Sequence, residues 1–129
     1  MALVHETTIR NGLADFVVDA IDAGVGANGR IEFQTSADVE VATLAFDATA
    51  FGNAVNGTAT ANPIITDTNA TGGVVAKFVI YDEPTTAGNV ILSGTVTAIG
   101  GGGDIELTST LIAPGDSVAI DALTYTASA

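Results

Sequence analysis

Between Thr7 and Ala23 the apolar side chains Ile9, Leu13, Phe16, Val17, Ala20 and Ile21 recur at i, i+4, i+7, i+8, i+11 and i+12, the spacing of one helix face. This predicts an α-helix over 9–23 that buries that stripe. Thr7 or Thr8 would cap its start and Gly24 or Gly26 its end, with Asp15, Asp19 and Asp22 on or near the polar side. Gly12 costs such a helix about 1 kcal/mol relative to alanine, which points to a close approach at that position. After "GVGANGR" the pattern shortens to a period of two, interrupted by Gly, Asn, Asp and Pro, and predicts strands at 30–34, 39–46, 57–61, 73–81, 89–97, 104–108 and 117–126. "VEVATLAF" alternates imperfectly, so a bulge is expected near Thr43.

Short strands at this spacing, joined by "NG", "TDTNATGG", "DEPTTAGN", "GGGG" and "APGD", predict a mainly β fold: an antiparallel β-sandwich or Greek-key barrel of about seven strands with one N-terminal α-helix. One domain spans residues 1–129, with an extended arm at 1–8, the helix at 9–23 and the β-sandwich at 30–126; no internal repeat or domain boundary interrupts it.

The run 73–81 is apolar on both alternating faces. Val74, Ala76, Phe78 and Ile80 would point one way; Val75, Lys77, Val79 and Tyr81 would point the other. A strand with two apolar faces lies between layers or against a neighbouring subunit, so Val75, Lys77, Val79 and Tyr81 form an expected self-association face. Lys77, the chain's single lysine, is expected to lay its methylenes over Val75 and Val79 and pair its amine with an acid. A desolvated, nucleophilic role for it would need companion groups, and none is evident.

Composition narrows the function classes. Hydrophobic residues make up 47% of the chain and charged ones 14%, and fifteen acids face only Arg10, Arg30 and Lys77, for a formal net charge of −12. No basic surface exists to neutralise phosphates, which excludes nucleic acid as an expected partner. The absence of cysteine removes disulfide and thiolate-metal frameworks. The start "MALVHETTIRNGL" lacks a basic segment followed by an apolar one, and eighteen apolar residues never run together, so neither a signal peptide nor a membrane span is expected. Synthesis in a cytoplasm and use as made is the expectation.

Chemical candidates are few. His5, the sole histidine, sits in the arm and reads more simply as an exposed or interface residue than as a catalyst. The glycines at 100–103 precede Asp104 and a strand, where a phosphate cradle needs Lys-Ser/Thr and a helix; they read as a loose hairpin link. Asp67 with Asn69, and Asp104 with Glu106, offer hard oxygens for Ca²⁺, but neither stretch spaces the ligands as a calcium loop does. The expectation is a protein that is not an enzyme and uses no cofactor.

The order of segments "IRNGLADFVVDAI", "ANGRIEF", "GTATANPIITDTNATGGVVAKFVIYD", "LSGTVT" and "GGGDIELTSTLIAPGDSVAIDALTYTAS" resembles a group of small virion structural proteins of tailed bacteriophages, over nearly the whole chain. Its "YDEPTTAGNV" segment is longer and more acidic than that pattern. The resemblance implies a virion component made in the host cytoplasm. Within that group the favoured place is the capsid surface, as a decoration (cement) protein binding the major capsid protein and itself, as a trimer or other homo-oligomer. Multivalent contact would make its dissociation slow. The arm at 2–8, carrying Leu3, Val4 and His5, could add to a strand edge of the partner, and Arg10 could pair with a capsid acid. Two alternatives are a tail, neck or head-tail connector subunit, inserting loops such as "DEPTTAGN" or "ATAFGNAVNG", and an extracellular carbohydrate-binding or adhesion β-sandwich. The latter would need exposed aromatic platforms, whereas Phe16, Phe33, Phe46 and Phe78 read as core.

Overall fold

A computed structural model describes residues 3–24, 26, 28–85 and 88–127. It is mainly β with one helix near the N-terminus: α1 (Thr7–Ala20), β1 (Arg30–Gln34), β2 (Glu40–Ala45), β3 (Thr58–Thr60), β4 (Gly73–Val74), β5 (Lys77–Tyr81), β6 (Val90–Ala98), β7 (Ile105–Leu107), β8 (Leu111–Ile112) and β9 (Thr124–Thr126). The principal sheet has the order β2-β1-β5-β6-β7, antiparallel except for the parallel pair β6–β7; β3–β9 and β4–β8 form two small antiparallel pairs.

β1 follows the period-two rule. Ile31 and Phe33 are fully buried, while Arg30, Glu32 and Gln34 take the opposite face. β2 does not follow it throughout. Its register against β1 jumps from Phe33↔Ala42 to Gln34↔Glu40, so the bulge lies at Val41 rather than near Thr43 and turns both Val41 and Ala42 into the core. The inner face of the large sheet, with Phe33, Leu44, Phe78, Ile80 and Val96, packs against Ala50, Phe51, Ala59, Val118 and Ala127 from the irregular second layer, and the Phe46 and Phe51 rings lie 5.9 Å apart.

The segment 65–72 covers the outer edge of β2. Ile65 N–H donates to Ala45 O, Gly72 N–H donates to Val41 O, and Thr43 N–H donates to Asp67 Oδ2 at 2.9 Å. The edge is thus closed by a loop, one of the ways proteins protect an unpaired strand. The same segment bonds on its other side to 116–118, through Asp67 N–H to Val118 O and Ala70 N–H to Asp116 O.

The expected strand at 73–81 is two strands. Up to Val75 the backbone pairs with 110–112, through the β4–β8 ladder and Val75 N–H to Thr110 O; from Ala76 it pairs with β1 and β6. The change of partner breaks the alternation, so Val75 is buried and Val74 exposed while Phe78 and Ile80 still point inward. The late run 117–126 likewise reduces to the isolated Asp67↔Val118 bridge and β9, and β8 arises where no strand was expected.

Candidate interaction surfaces

The helix is turned by roughly one residue from the orientation that hydrophobic counting predicts. Ala14, Val18 and Ile21 are buried, whereas Ile9, Leu13 and Phe16 are 54%, 42% and 79% exposed. Polar side chains on the buried side explain the choice. Asn11 Oδ1 accepts from Gly57 N–H at 2.7 Å, Asp15 Oδ1 from Ala54 N–H at 2.7 Å, and Asp22 Oδ1 from Ala50 N–H at 3.0 Å. Three loop N–H groups with no strand partner thereby find acceptors from α1 and the turn after it. Leaving each unpaired would cost about 1–3 kcal/mol, comparable with burying one aliphatic side chain.

Two further expectations for the helix are corrected. It starts at Thr7 with Glu6 as the capping position, which makes no side-chain cap bond, so Thr7 and Thr8 lie inside the first turn. A Cβ built on Gly12 meets nothing within 4 Å, so the glycine is not explained by close packing.

Arg10 does not reach outward to meet a partner's acid. Its Nη2 donates to Ala127 O at 3.3 Å, and the guanidinium lies over Gly57, which sits at φ +80° with a built Cβ only 2.7 Å from Nη2. Leu3, Val4 and His5 are exposed and outside any regular element, as the docking arm requires; Leu3 is 85% and Val4 75% exposed. Ala2 of that arm lies outside the described residues. The arm and the outward stripe Ile9–Leu13–Phe16 are consecutive in the chain.

The outer face of the large sheet gathers Lys77, Val79 and Tyr81, all half-buried, but not Val75, which the change of strand partner sends to the core. Lys77 pairs with Asp38, which holds a left-handed φ of 67° at the turn before β2. Neighbouring β1 carries a polar cluster on this face. The Arg30 guanidinium lies 3.9 Å above the Tyr81 ring, donates through Nη1 to Glu83 O at 2.7 Å and pairs through Nε with Glu32 Oε2 at 3.4 Å. Gln34 Nε2 donates to Glu32 Oε1 at 3.0 Å. A shallow concavity of about 610 Å³ remains between these residues and β6.

Among the described residues, Asp15, Asp22, Asp47, Asp67, Asp82, Asp104, Glu106 and Asp116 each accept a backbone N–H. With three basic residues in the chain, carboxylates have few cations to pair with and serve instead as acceptors for loop backbone. The two calcium candidates are used this way. Asp67 accepts Thr43 and Asn69 N–H, Asp104 accepts Thr95 N–H, and Glu106 Oε2 accepts Gly100 and Gly102 N–H at 3.2 and 3.0 Å, closing the glycine loop. Among the described residues no three His, Cys, Asp or Glu side chains assemble as a metal-holding group, and no helix is long and apolar enough to cross a membrane.

Two carboxyls are displaced from their ordinary acidity. Burial pushes Asp22 up, opposed by the Ala50 N–H and reinforced by the charges of Asp19 and Asp47. Asp82 is held down, first by the Asn89 backbone N–H at 2.7 Å and then by the Asn89 side-chain amide at 3.1 Å. Both groups stabilise loops. A cleft of about 280 Å³ lined by Phe51, Phe78, Ile80, Leu92, Leu123 and Tyr125 has Asp104 at its margin, but that carboxylate is bound to Thr95. The arrangement supplies apolar contact and backbone closure. Comparison with family models, with curated proteins and with solved structures finds no match to this chain.

Proposed function

We propose that this chain is a non-catalytic structural protein of a virus particle, a decoration (cement) protein that binds the outside of a phage head and ties neighbouring major capsid subunits together. The observation that carries this reading is the outward apolar surface of the arm and helix, Leu3, Val4, Ile9, Leu13 and Phe16, on a molecule that uses its polar side chains to hold its own backbone. Exposed apolar side chains that share a helix face, as Ile9, Leu13 and Phe16 do, mark surfaces that a partner can bury. The ordered resemblance of the sequence to small phage virion proteins supplies the setting.

A tail or connector subunit is less well supported. The segment "ATAFGNAVNG", which could have served as an inserting loop, buries Ala50, Phe51 and Ala54 and donates N–H groups to Asp15 of α1 and Asp22 of the turn after it. Thr86 and Ala87 of the other loop, "DEPTTAGN", lie outside the described residues. A carbohydrate platform finds little support either, since Tyr81 lies under Arg30 and Phe16 stands within an aliphatic stripe.

The test is the copy number of the chain in purified particles relative to the major capsid protein. Decoration requires a number near parity; a few tens per particle would overturn it.

A further inference from the structure

We infer that the outward stripe of α1 is a docking helix for a different protein, one that presents an apolar groove rimmed by lysine and arginine. The inference rests on the functional reading above, under which that protein is a shell subunit. Ile9, Leu13 and Phe16 stand at i, i+4 and i+7, the anchor spacing of a helix laid in a groove, and Leu3 and Val4, also exposed, precede the helix start in the chain.

Charge decides between a groove on another protein and a second copy of this chain. Glu6 and Asp19 flank the stripe as exposed acids, and the nearest basic residue in sequence, Arg10, is turned inward against Gly57 and Ala127 O. The other two cations are committed elsewhere: Arg30 is buried beneath the 82–85 turn with Glu32 and Tyr81, and Lys77 pairs with Asp38. Two copies meeting stripe to stripe would set acid against acid on molecules of net charge −12 each, with no basic residue on either helix face to relieve it. A basic-rimmed groove satisfies both the apolar track and its acidic border.

The test uses particles of the encoding virus assembled without this chain, to which the recombinant full-length protein is added back. Phe16→Glu and Leu13→Glu should each weaken occupancy by about thirtyfold, as expected for a central anchor. Leu111→Glu, at another exposed apolar residue, should bind like the unaltered protein. Raising salt should weaken binding of the unaltered protein, because part of the contact is acid to base. Thermal melts of the variants, expected to match the unaltered chain, separate lost docking from lost folding. Undiminished occupancy of both stripe variants would overturn the docking helix while leaving the decoration role intact. Failure of the unaltered protein to bind would overturn the role and the docking helix together. Self-association in solution that Phe16→Glu abolishes would assign the stripe to a second copy and also overturn the inference.

Discussion

Ala50, Ala54 and Gly57 each give a backbone N–H to a side chain from α1 or the turn after it, and these three bonds decide which side of the helix is inside. Asp22 is the instructive case because its burial works against its charge. Its folded pKa is raised, so its contribution to stability is fully present below the ordinary carboxylate range, near 3.8, and is lost as pH rises through the folded value. At neutral pH Asp22→Asn, which keeps an acceptor for Ala50 without the charge, should therefore melt at the same temperature or higher. That difference should shrink on acidification through the same window. Asp22→Ala removes the acceptor and should cost about 1–3 kcal/mol. Asp82 has the opposite sign: its contribution is present above the ordinary carboxylate range and is lost as pH falls through its lowered folded value. Gly57→Ala combines a positive φ with a collision at Arg10 and should destabilise by roughly 1–3 kcal/mol, read by denaturant unfolding.

At the level of elements, 73–81 gives the sharpest test of the change of strand partner. Val75→Ala should cost about 1–2.5 kcal/mol, as a buried truncation does, whereas Val79→Ala on the outer face should cost under about 1 kcal/mol. Equal losses would mean that both residues share one environment. The residues make plain why the sequence exposes some of this fold and conceals the rest. β1 was legible to the residue, because "RIEFQ" alternates cleanly and pairs on both sides. Lys77's acid partner was also expected in kind, although Asp38 itself was not, since a turn brings it across from another strand. The phase of α1 was not legible from apolar spacing. Hydrophobic counting weighs Ile9, Leu13 and Phe16 above Asn11 and Asp15, yet three waiting N–H groups outweighed them. Polar residues recurring at Asn11, Asp15 and Asp22, with the small Ala14 between them, were the available signal. Val75 and the bulge at Val41 depend on which strand lies alongside, and a change of partner leaves no mark on local alternation.

The whole molecule carries fifteen acids and few opposite charges, so its folded state works against its own repulsion. Added sodium chloride should raise the melting temperature at neutral pH by screening that repulsion, an effect that differential scanning calorimetry reads directly; a fall would mean that ion pairs such as Arg30–Glu32 and Lys77–Asp38 matter more than the net charge. The same excess of acid, with an apolar helix face between Glu6 and Asp19, is the ground on which we propose docking to a basic-rimmed surface rather than pairing of two copies through that face. A reconstruction of intact particles tests this most directly. The chain should lie spread over the outside of the head with Ile9, Leu13 and Phe16 against a shell subunit. Density confined to the tail, or a head-bound chain whose α1 stripe faces solvent, would contradict it.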